Sequence, residues 1–321
     1  MWGWRSGNEG LLSWEPLLAK SPEKPWEGDP KEATQAAKRF AIDIGAVDAG
    51  VTHLDPRWVY SNWYHRGTKT SGRIEIREDA DKPMVEEDGT KVIPVSMKYI
   101  IVMLVPMPYE MVNTAPAYPA NGATGLGYSR MAFTAATMAE FFRFLGYNAI
   151  PMCNDTMLNV PLCIQAGLGE LGRNGLLVSA KMGPRVRSCK VLTDLPLAED
   201  KPINLGVRNF CESCKKCARE CPAGAISDGP QTMEARNISN NPGVKKWPVD
   251  NEKCRIFWYE NSDSCIRCIA TCPYNKPEGY WTHAMGNRVA PILGGTLVSI
   301  DDWMGYGKIL PTRDYWKKPV D

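Results

Sequence analysis

Apolar side chains recur along this chain at two spacings, one typical of amphipathic helices and one typical of buried strands. Over 31–44 the apolar residues fall on one face of a predicted helix. The longest predicted helix covers 124–145, and Gly146 follows it where a C-terminal cap belongs. Residues 1–29 are rich in Trp, Pro and Gly, which predicts an extended arm.

Unbroken apolar runs predict strands that are buried on both faces, and the longest of these runs is 98–106. Residues 66–92 are polar and charged, so we expect surface loops there. The mixture of helices and strands predicts an α+β core. The shorter predicted strands are 51–54, 149–152, 176–179 and 185–195.

The composition is that of a globular protein without a strong charge bias. Hydrophobic residues make up 44%, and 38 Lys and Arg against 36 Asp and Glu leave a net charge of +2. This balance argues against a nucleic-acid partner. No apolar run reaches the roughly 18 residues of a membrane span. The N-terminus shows no apolar leader and no twin-arginine signal, so a cytoplasmic protein is expected unless a leader has been removed.

Eight cysteines lie in two runs within the C-terminal third of the chain. The first run, 211–222, has the spacing C-x2-C-x2-C-x3-C-P, by which bacterial ferredoxins hold cubane iron–sulfur clusters. The second, 254–273, ends in the same C-x2-C-x3-C-P, with its first cysteine displaced upstream. Each cubane takes four thiolates, so the spacing predicts two 4Fe–4S clusters and one-electron chemistry.

In two-cluster ferredoxins the last cysteine of each run ligates the other cluster, and this rule assigns the ligands. Zinc sites commonly pair two C-x2-C motifs, and disulfides suit small secreted domains, so both alternatives fit this spacing less well. Cys153, Cys163 and Cys189 lie in apolar stretches and are expected to pack in a core. The predicted ligands are Cys211, Cys214, Cys217 and Cys272 for cluster 1, and Cys221, Cys254, Cys265 and Cys268 for cluster 2.

The segment 167–172 matches the G-x-G-x-x-G pattern of dinucleotide-binding folds. That fingerprint needs a strand before it and a long helix after it. Here Pro161 interrupts the preceding segment, and the strand-like GLLVS follows within three residues. The context argues against NAD binding, although glycines still allow a backbone to approach a ligand closely.

The cysteine runs accompany two further segments, GYSRMAFTAATMAEFFRFLGYNAIP and CNDTMLNVPLCIQAGLGELGRNGLLVSAKMGPRVRSCKVLTDLPL. Together these segments resemble the reductive dehalogenases of organohalide-respiring bacteria, from about residue 25 to the end. The resemblance implies a nitroreductase-like core that holds a base-off corrinoid beside two 4Fe–4S clusters. It further implies that the clusters feed electrons singly to cobalt, that the carbon–halogen bond of a small organohalide is cleaved, and that a proton replaces the halide. In agreement, none of the three histidines (His53, His65, His283) lies in a D-x-H-x-x-G motif.

The resemblance also implies which residues react. The family's proton donor is a tyrosine at the start of the long helix after a glycine-rich turn, a position that Tyr128 in GLGYSR matches. Asn154 in N-D-T and Arg187 in G-P-R-V-R-x-C-K match its flanking partners, and Arg185 is a rival for the arginine. A guanidinium beside the phenol would stabilise the phenolate left after proton transfer.

Other matched positions imply the walls of a cavity for an apolar substrate, which must be held by shape and dispersion. The glycine-rich loop is a predicted corrinoid contact. The predicted pocket residues are Thr124, Trp258, Trp58 and Tyr64, and the predicted corrinoid contacts are Gly169 and Gly172.

Family members usually carry a twin-arginine leader and a longer N-terminal region, from which this sequence departs. The resemblance implies a small membrane-anchor partner on the outer face of the cytoplasmic membrane. The sequence leaves a homodimer open. The predicted domains are an arm at 1–29, a corrinoid-binding core at 30–205, a ferredoxin-like module at 206–284, and a segment at 285–321 that completes the core.

Two alternatives are weighed against this interpretation. Epoxyqueuosine reductases share the corrinoid and the two clusters but act on tRNA, and a tRNA-binding enzyme should show a basic face that the near-neutral charge does not suggest. A non-catalytic, ferredoxin-type electron carrier would leave about 200 residues before the clusters without a role.

Overall fold

The computed structural model describes residues 11–16, 22–65, 67–278 and 294–319, and divides the chain into two compact units. Parts of the predicted arm at 1–29, His283 and the predicted boundary at 284–285 lie outside the described residues. The first unit comprises the chain up to Val105, Tyr128–Leu168 and Arg187–Pro202; the second comprises Pro106–Gly127, Gly169–Val186 and the chain from Ile203 onward.

The described helices and strands are numbered in chain order. The strands are Asp48–His53 (β1), Asn62–His65 (β2), Thr70–Arg77 (β3), Met84–Val85 (β4), Lys91–Pro94 (β5), Tyr99–Pro106 (β6), Ala149–Met152 (β7), Gly169–Leu171 (β8), Leu177–Ser179 (β9) and Val186–Thr193 (β10). The α-helices are Pro30–Asp43 (α1), Tyr109–Asn113 (α2), Tyr118–Phe144 (α3), Asn159–Gln165 (α4), Val207–Cys214 (α5), Lys216–Arg219 (α6), Asn251–Glu260 (α7), Arg267–Ala270 (α8), Gly295–Trp303 (α9) and Thr312–Trp316 (α10), and Pro56–Trp58 forms a 3-10 turn.

The main sheet of the first unit has the strand order β1-β6-β10-β7. β1 runs antiparallel to β6, and β10 runs antiparallel to β7. The apolar runs that predicted β6, β7 and β10 are confirmed within two residues at each end, because these strands are buried along most of their length. The strand predicted at 51–54 begins three residues earlier, as β1.

A second sheet, with the order β2-β3-β5-β4, occupies much of the segment in which the sequence predicted loops. That prediction was wrong, because 66–92 contains β3, β4 and the start of β5. β3 (TSGRIEIR) buries only Ile74 fully, so its charged residues lie on a strand that faces water on one side. A high content of charge was therefore compatible with a strand.

Helices α1 and α3 pack with the main sheet around one apolar core. α1 begins where the Asp29 carboxylate accepts a hydrogen bond from the Lys31 backbone N–H at 2.7 Å, with Pro30 at its first position. It buries a stripe of small residues, Ala33, Ala37 and Ala41. α3 begins six residues before the predicted helix, so the turn GLG lies inside it and Tyr128 projects from its middle.

The second unit is built from the hairpin β8–β9 and several short helices. The strand β9 follows the glycine-rich segment, as the sequence predicted, at the place where a dinucleotide site would need a long helix. α5 and α6 carry the first cysteine run, and α7 and α8 carry cysteines of the second. None of the helices described here combines the length and apolar character that crossing a membrane requires.

Candidate functional site

Tyr128, Asn154 and Arg187 come together in the first unit. The Asn154 side-chain amide donates a hydrogen bond to the Tyr128 hydroxyl oxygen across 3.4 Å. The Arg187 guanidinium lies 4.9 Å from the centre of the Tyr128 ring. Tyr128 lies on α3, Asn154 lies in the loop after β7, and Arg187 lies on β10. Side chains from three separate elements therefore meet at one place.

Arg187 rather than Arg185 accompanies Tyr128. The Nε of Arg187 is buried and has no hydrogen-bond partner within the part of the chain that the structure describes. Arg185 belongs to the second unit, where its guanidinium donates hydrogen bonds to the Asn275 side chain at 3.0 Å and to the Met107 carbonyl at 2.5 Å. Arg185 is therefore committed to supporting its own unit, whereas Arg187 keeps a donor available in the candidate site.

A buried lysine fixes the orientation of Asn154. The Lys190 ammonium donates to the Asn159 side-chain oxygen at 2.6 Å, and the Asn159 amide nitrogen then donates to the Asn154 side-chain oxygen at 2.8 Å. A lysine ammonium is only a donor, so it sets the direction of each amide in turn. The Asn154 nitrogen is thereby left facing the Tyr128 oxygen.

Lys190 also fastens the loop that carries Asn154, because its ammonium donates to the carbonyls of Cys153 at 2.7 Å and Asp155 at 3.3 Å. Burial lowers the pKa of Lys190, and the Asp155 carboxylate opposes that effect. Sequence reasoning did not single out Lys190 or Asn159. The only signal in the sequence was a charged residue inside an otherwise apolar strand.

Trp58 is bonded through its backbone to the segment that follows Asn154. Its carbonyl accepts a hydrogen bond from the Leu158 N–H at 2.9 Å, and its buried indole Nε1 has no partner among the described residues. Tyr64, on β2, is 65% exposed. Thr124 on α3 and Trp258 on α7 belong to the second unit, where Thr124 is buried and donates to the Ala120 carbonyl.

The second unit gathers the cysteines assigned to cluster 1 around one cavity of about 320 Å³, open mouth included. No group of three or more His, Cys, Asp and Glu side chains in the described ranges is arranged to hold a metal ion directly. The four cysteines instead surround a space, and Arg173 and Lys215 join its wall. Its cysteines are Cys211, Cys214, Cys217 and Cys272.

Burial raises the pKa of every thiol around this cavity for which a shift is resolved, that of Cys211 to about 11 and that of Cys272 well above its ordinary value. Cys211, Cys214 and Cys217 raise the pKa of Cys272 further, so these thiols are near enough to repel one another as thiolates. Four thiolates could be held together here only by a strongly cationic metal centre, and binding of that centre would release protons from the thiols.

The thiols assigned to cluster 2 lie in the same unit. Burial raises the pKa of Cys254 and Cys265, and both values are raised further by Cys221. The Arg267 backbone N–H points to the Cys265 sulfur at 3.5 Å. Cys268 raises the pKa of Cys217 from the other set, so the two sets of thiols are neighbours.

Gly169 and Gly172 are placed by the packing of the hairpin β8–β9. A Cβ on Gly169 would lie 2.3 Å from the Val178 carbonyl oxygen, so only glycine fits there. Gly172 lines the cysteine cavity. Their predicted contact with a corrinoid stays a prediction.

The comparisons with known proteins match both units. Residues 64–197 match the family model described as "Reductive dehalogenase subunit", and residues 210–275 match "4Fe-4S double cluster binding domain". A tetrachloroethene reductive dehalogenase of Desulfitobacterium hafniense is 37% identical over 97% of this chain and 63% of its own length. The enzyme of the same name from Sulfurospirillum multivorans is 36% identical over 96% of this chain and 63% of its own length.

Among solved structures, the catabolic reductive dehalogenase NpRdhA superposes with a TM-score of 0.74 and 28% identity, over 93% of this chain and 40% of that chain. This chain spans about 63% of the length of the curated relatives that it matches. The family models cover residues of both units, and the relatives align over nearly the whole chain. Over nearly its whole length the chain is therefore similar to reductive dehalogenases.

Proposed function

We propose that this protein catalyses reductive dehalogenation, in which a halogen on a small organohalide is replaced by hydrogen. The reaction takes up a pair of electrons and one proton and releases halide. The observation that carries the proposal is the convergence of Tyr128, Asn154 and Arg187 in a chain that also gathers eight cysteines with ferredoxin spacing. The reaction needs a proton donor and an electron donor, and these two groups of residues would provide them.

In this proposal Tyr128 is the proton donor. Its hydroxyl proton passes to the carbon that loses the halogen, and the phenolate oxygen keeps the hydrogen bond from the Asn154 amide. The Arg187 guanidinium, 4.9 Å from the ring, stabilises the negative charge that remains. The unpartnered Nε of Arg187 gives the departing halide or the phenolate a further donor.

We further propose that the cysteine sets hold two 4Fe–4S clusters, with the ligands divided as the spacing rule assigns them. The open space between the cluster 1 cysteines and the guanidinium on its wall suit an anionic cluster. A corrinoid, which the B12-dependent relatives suggest, would supply the low-potential cobalt that breaks the carbon–halogen bond. The unpartnered, buried donors of Trp58 and Arg187 are suited to the ligand-facing side of such a site.

The names of the curated relatives favour a chlorinated ethene as the substrate. Such a molecule offers no hydrogen bonds, so apolar and aromatic walls would hold it by shape. We propose Thr124, Trp258, Trp58 and Tyr64 as those walls. We also propose a small membrane-anchor protein as partner, with the enzyme on the outer face of the cytoplasmic membrane.

The decisive experiment is anaerobic reconstitution of the full chain with corrinoid, iron and sulfide, followed by a halide-release assay with tetrachloroethene. Tyr128→Phe should keep its iron and corrinoid and lose nearly all halide release. Tyr147→Phe is the matched control, because the Tyr147 hydroxyl donates only to the Trp26 carbonyl at 2.8 Å. Full turnover by Tyr128→Phe would refute the donor role.

The same preparation separates the alternatives. Corrinoid bound without halide release from any organohalide, together with reduction of an epoxyqueuosine tRNA stem loop, would replace this proposal by the tRNA one. Eight irons per chain without corrinoid uptake would favour an electron carrier.

A further inference from the structure

Arg173 is a fully buried cation in the second unit, with 1% of its surface exposed. It follows the glycine-rich loop directly and lies on the wall of the cavity that the cluster 1 cysteines line. Its position matters because a charge taken out of water is costly unless an opposite charge compensates it.

The partners of Arg173 are all uncharged. The guanidinium donates to the backbone carbonyls of Cys211 at 2.9 Å, Ser227 at 2.8 Å, Gly229 at 3.0 Å and Glu212 at 3.4 Å. Its flat face lies 4.6 Å from the centre of the Trp247 ring. In the part of the chain that the structure describes, no carboxylate lies within ion-pair distance of Arg173. The hydrogen bonds hold it in place, but the charge itself has no counterpart.

The other buried cations of this unit do have counterparts. Lys216 pairs with Asp301 at 2.6 Å and with Asp302 at 2.7 Å. Arg267, which is 6% exposed and adjoins the cluster 2 cysteines, pairs with the Glu220 carboxylate at 3.0 Å. The two predicted cluster sites thus differ in charge, since one has an uncompensated guanidinium and the other a neutralised one.

A cubane cluster with four thiolates is an anion in both oxidation states and gains one further negative charge on reduction. A fixed cation beside it stabilises the reduced form more than the oxidised form, and so raises the reduction potential. Arg173 and the four cysteines line the same cavity, so the guanidinium is close to those sulfurs. The Glu170 carboxylate accepts the backbone N–H groups of Leu205 and Val207, at the start of the helix that carries Cys211.

We propose that Arg173 is the counter-charge of the cluster held by Cys211, Cys214, Cys217 and Cys272, and that it sets the potential of this cluster above that of its neighbour. The proposal rests on the cluster ligands given under Proposed function. Electrons would then collect on cluster 1 in preference to cluster 2, because the more positive centre is reduced first.

The test is an anaerobic redox titration of the reconstituted full chain, followed by electron paramagnetic resonance of both clusters. Arg173→Gln removes the charge and keeps a donor. We expect the equilibrium constant for reduction of cluster 1 to fall about tenfold in this variant, which for a one-electron couple lowers the reduction potential by about 59 mV. The second cluster should keep its potential. Arg173→Lys keeps the charge and should keep most of the potential.

Two carboxylate variants should give shifts of the opposite sign. Glu170→Gln should raise the potential of cluster 1. Glu220→Gln leaves Arg267 unpaired and should raise the potential of cluster 2 alone. If Arg173→Gln does not assemble, Arg173→Lys still decides the question, because a tenfold or greater fall in the equilibrium constant for reduction of cluster 1 despite the retained charge would overturn the proposal.

The outcomes separate the two proposals. Full iron content with both potentials unchanged in Arg173→Gln would overturn the role of Arg173 and leave the clusters intact. Far fewer than eight irons in the unaltered protein would overturn the proposed clusters themselves.

Discussion

Lys190 should be far more important for the stability of the first unit than the other nearly buried lysine in that unit, Lys91. Lys190 is 0% exposed and Lys91 is 4% exposed, so the two side chains lose similar contact with water. Lys190 donates to three oxygens at 2.6 to 3.3 Å. Lys91 instead lies between two aromatic faces, 5.3 Å from the Trp14 ring and 5.1 Å from the Trp63 ring.

The magnitude follows from these contacts. Each hydrogen bond from a charged donor contributes roughly 1.5–3 kcal/mol, and removing the donor leaves buried acceptors without partners. Breaking a buried charged network by removing one partner typically costs about 3–5 kcal/mol, which we expect for Lys190→Met. A cation–π contact is worth about 0.5–2 kcal/mol, and a methionine in its place keeps the apolar contact. Lys91→Met should therefore change stability by about 1 kcal/mol or less.

Asp155 attracts both lysines, so this long-range attraction contributes to both variants and largely cancels in their comparison. Burial lowers the pKa of both lysines for the same reason. The difference between the variants thus compares the three hydrogen bonds of Lys190 with the two aromatic contacts of Lys91.

Hydrogen exchange followed by mass spectrometry is the suitable assay, because it reports local opening and does not need reversible unfolding of the whole chain. Peptides covering 149–165 should lose protection in Lys190→Met and keep it in Lys91→Met. Halide release should fall in Lys190→Met as well, since Asn154 loses its fixed orientation. Equal protection in the two variants would refute the reasoning.

Three further outcomes are expected. Burial raises the pKa of the Cys163 thiol from 9.0 to about 12. The stability that this burial of the neutral thiol contributes is therefore complete below pH 9 and is lost as the pH rises through 12. Thermal melts of Cys163→Ala should accordingly depend less on pH above 9 than those of the unaltered protein. Gly169→Ala places a Cβ 2.3 Å from a backbone oxygen and should lower stability by roughly 1–3 kcal/mol. Gly125 lies inside α3 with open space around it, so Gly125→Ala should raise stability by about 0.5–1 kcal/mol. Urea unfolding measures both changes. Cys217→Ser should remove the signal of one cluster and reduce the iron content, while Cys163→Ser, outside both ligand sets, should leave the iron content unchanged.

The sequence predicted the buried strands well, because a strand covered on both faces must be apolar throughout. It did not predict β3, because half of TSGRIEIR faces water and its charges resemble those of a loop. It also placed the start of α3 too late. Gly122, which precedes the predicted start, lies close to a neighbour, because a Cβ there would come within 3.0 Å of the Met111 side chain.

The candidate site was predictable only in part. Tyr128, Asn154 and Arg187 are far apart in sequence, and only the family resemblance joined them before the structure showed them in contact. Lys190 and Asn159 position Asn154 through consecutive hydrogen bonds, and the spacing of residues in the sequence does not indicate such contacts. The role of Arg173 could not be predicted for a similar reason. Its partners are backbone carbonyls, and their positions do not depend on residue types that the sequence displays.

The cations near the proposed reaction centres differ in whether a carboxylate neutralises them. Lys216 and Arg267 have carboxylate partners and form ion pairs within their unit. Arg187 and Arg173 have no such partner in the ranges that the structure describes; Arg187 lies over the Tyr128 ring, and Arg173 is hydrogen-bonded to backbone carbonyls and stacked on Trp247. A phenolate would form beside Arg187, and reduction would add an electron beside Arg173. A permanent carboxylate at either place would cancel the cation before that negative charge arrives, so the missing partner suits the proposed reaction.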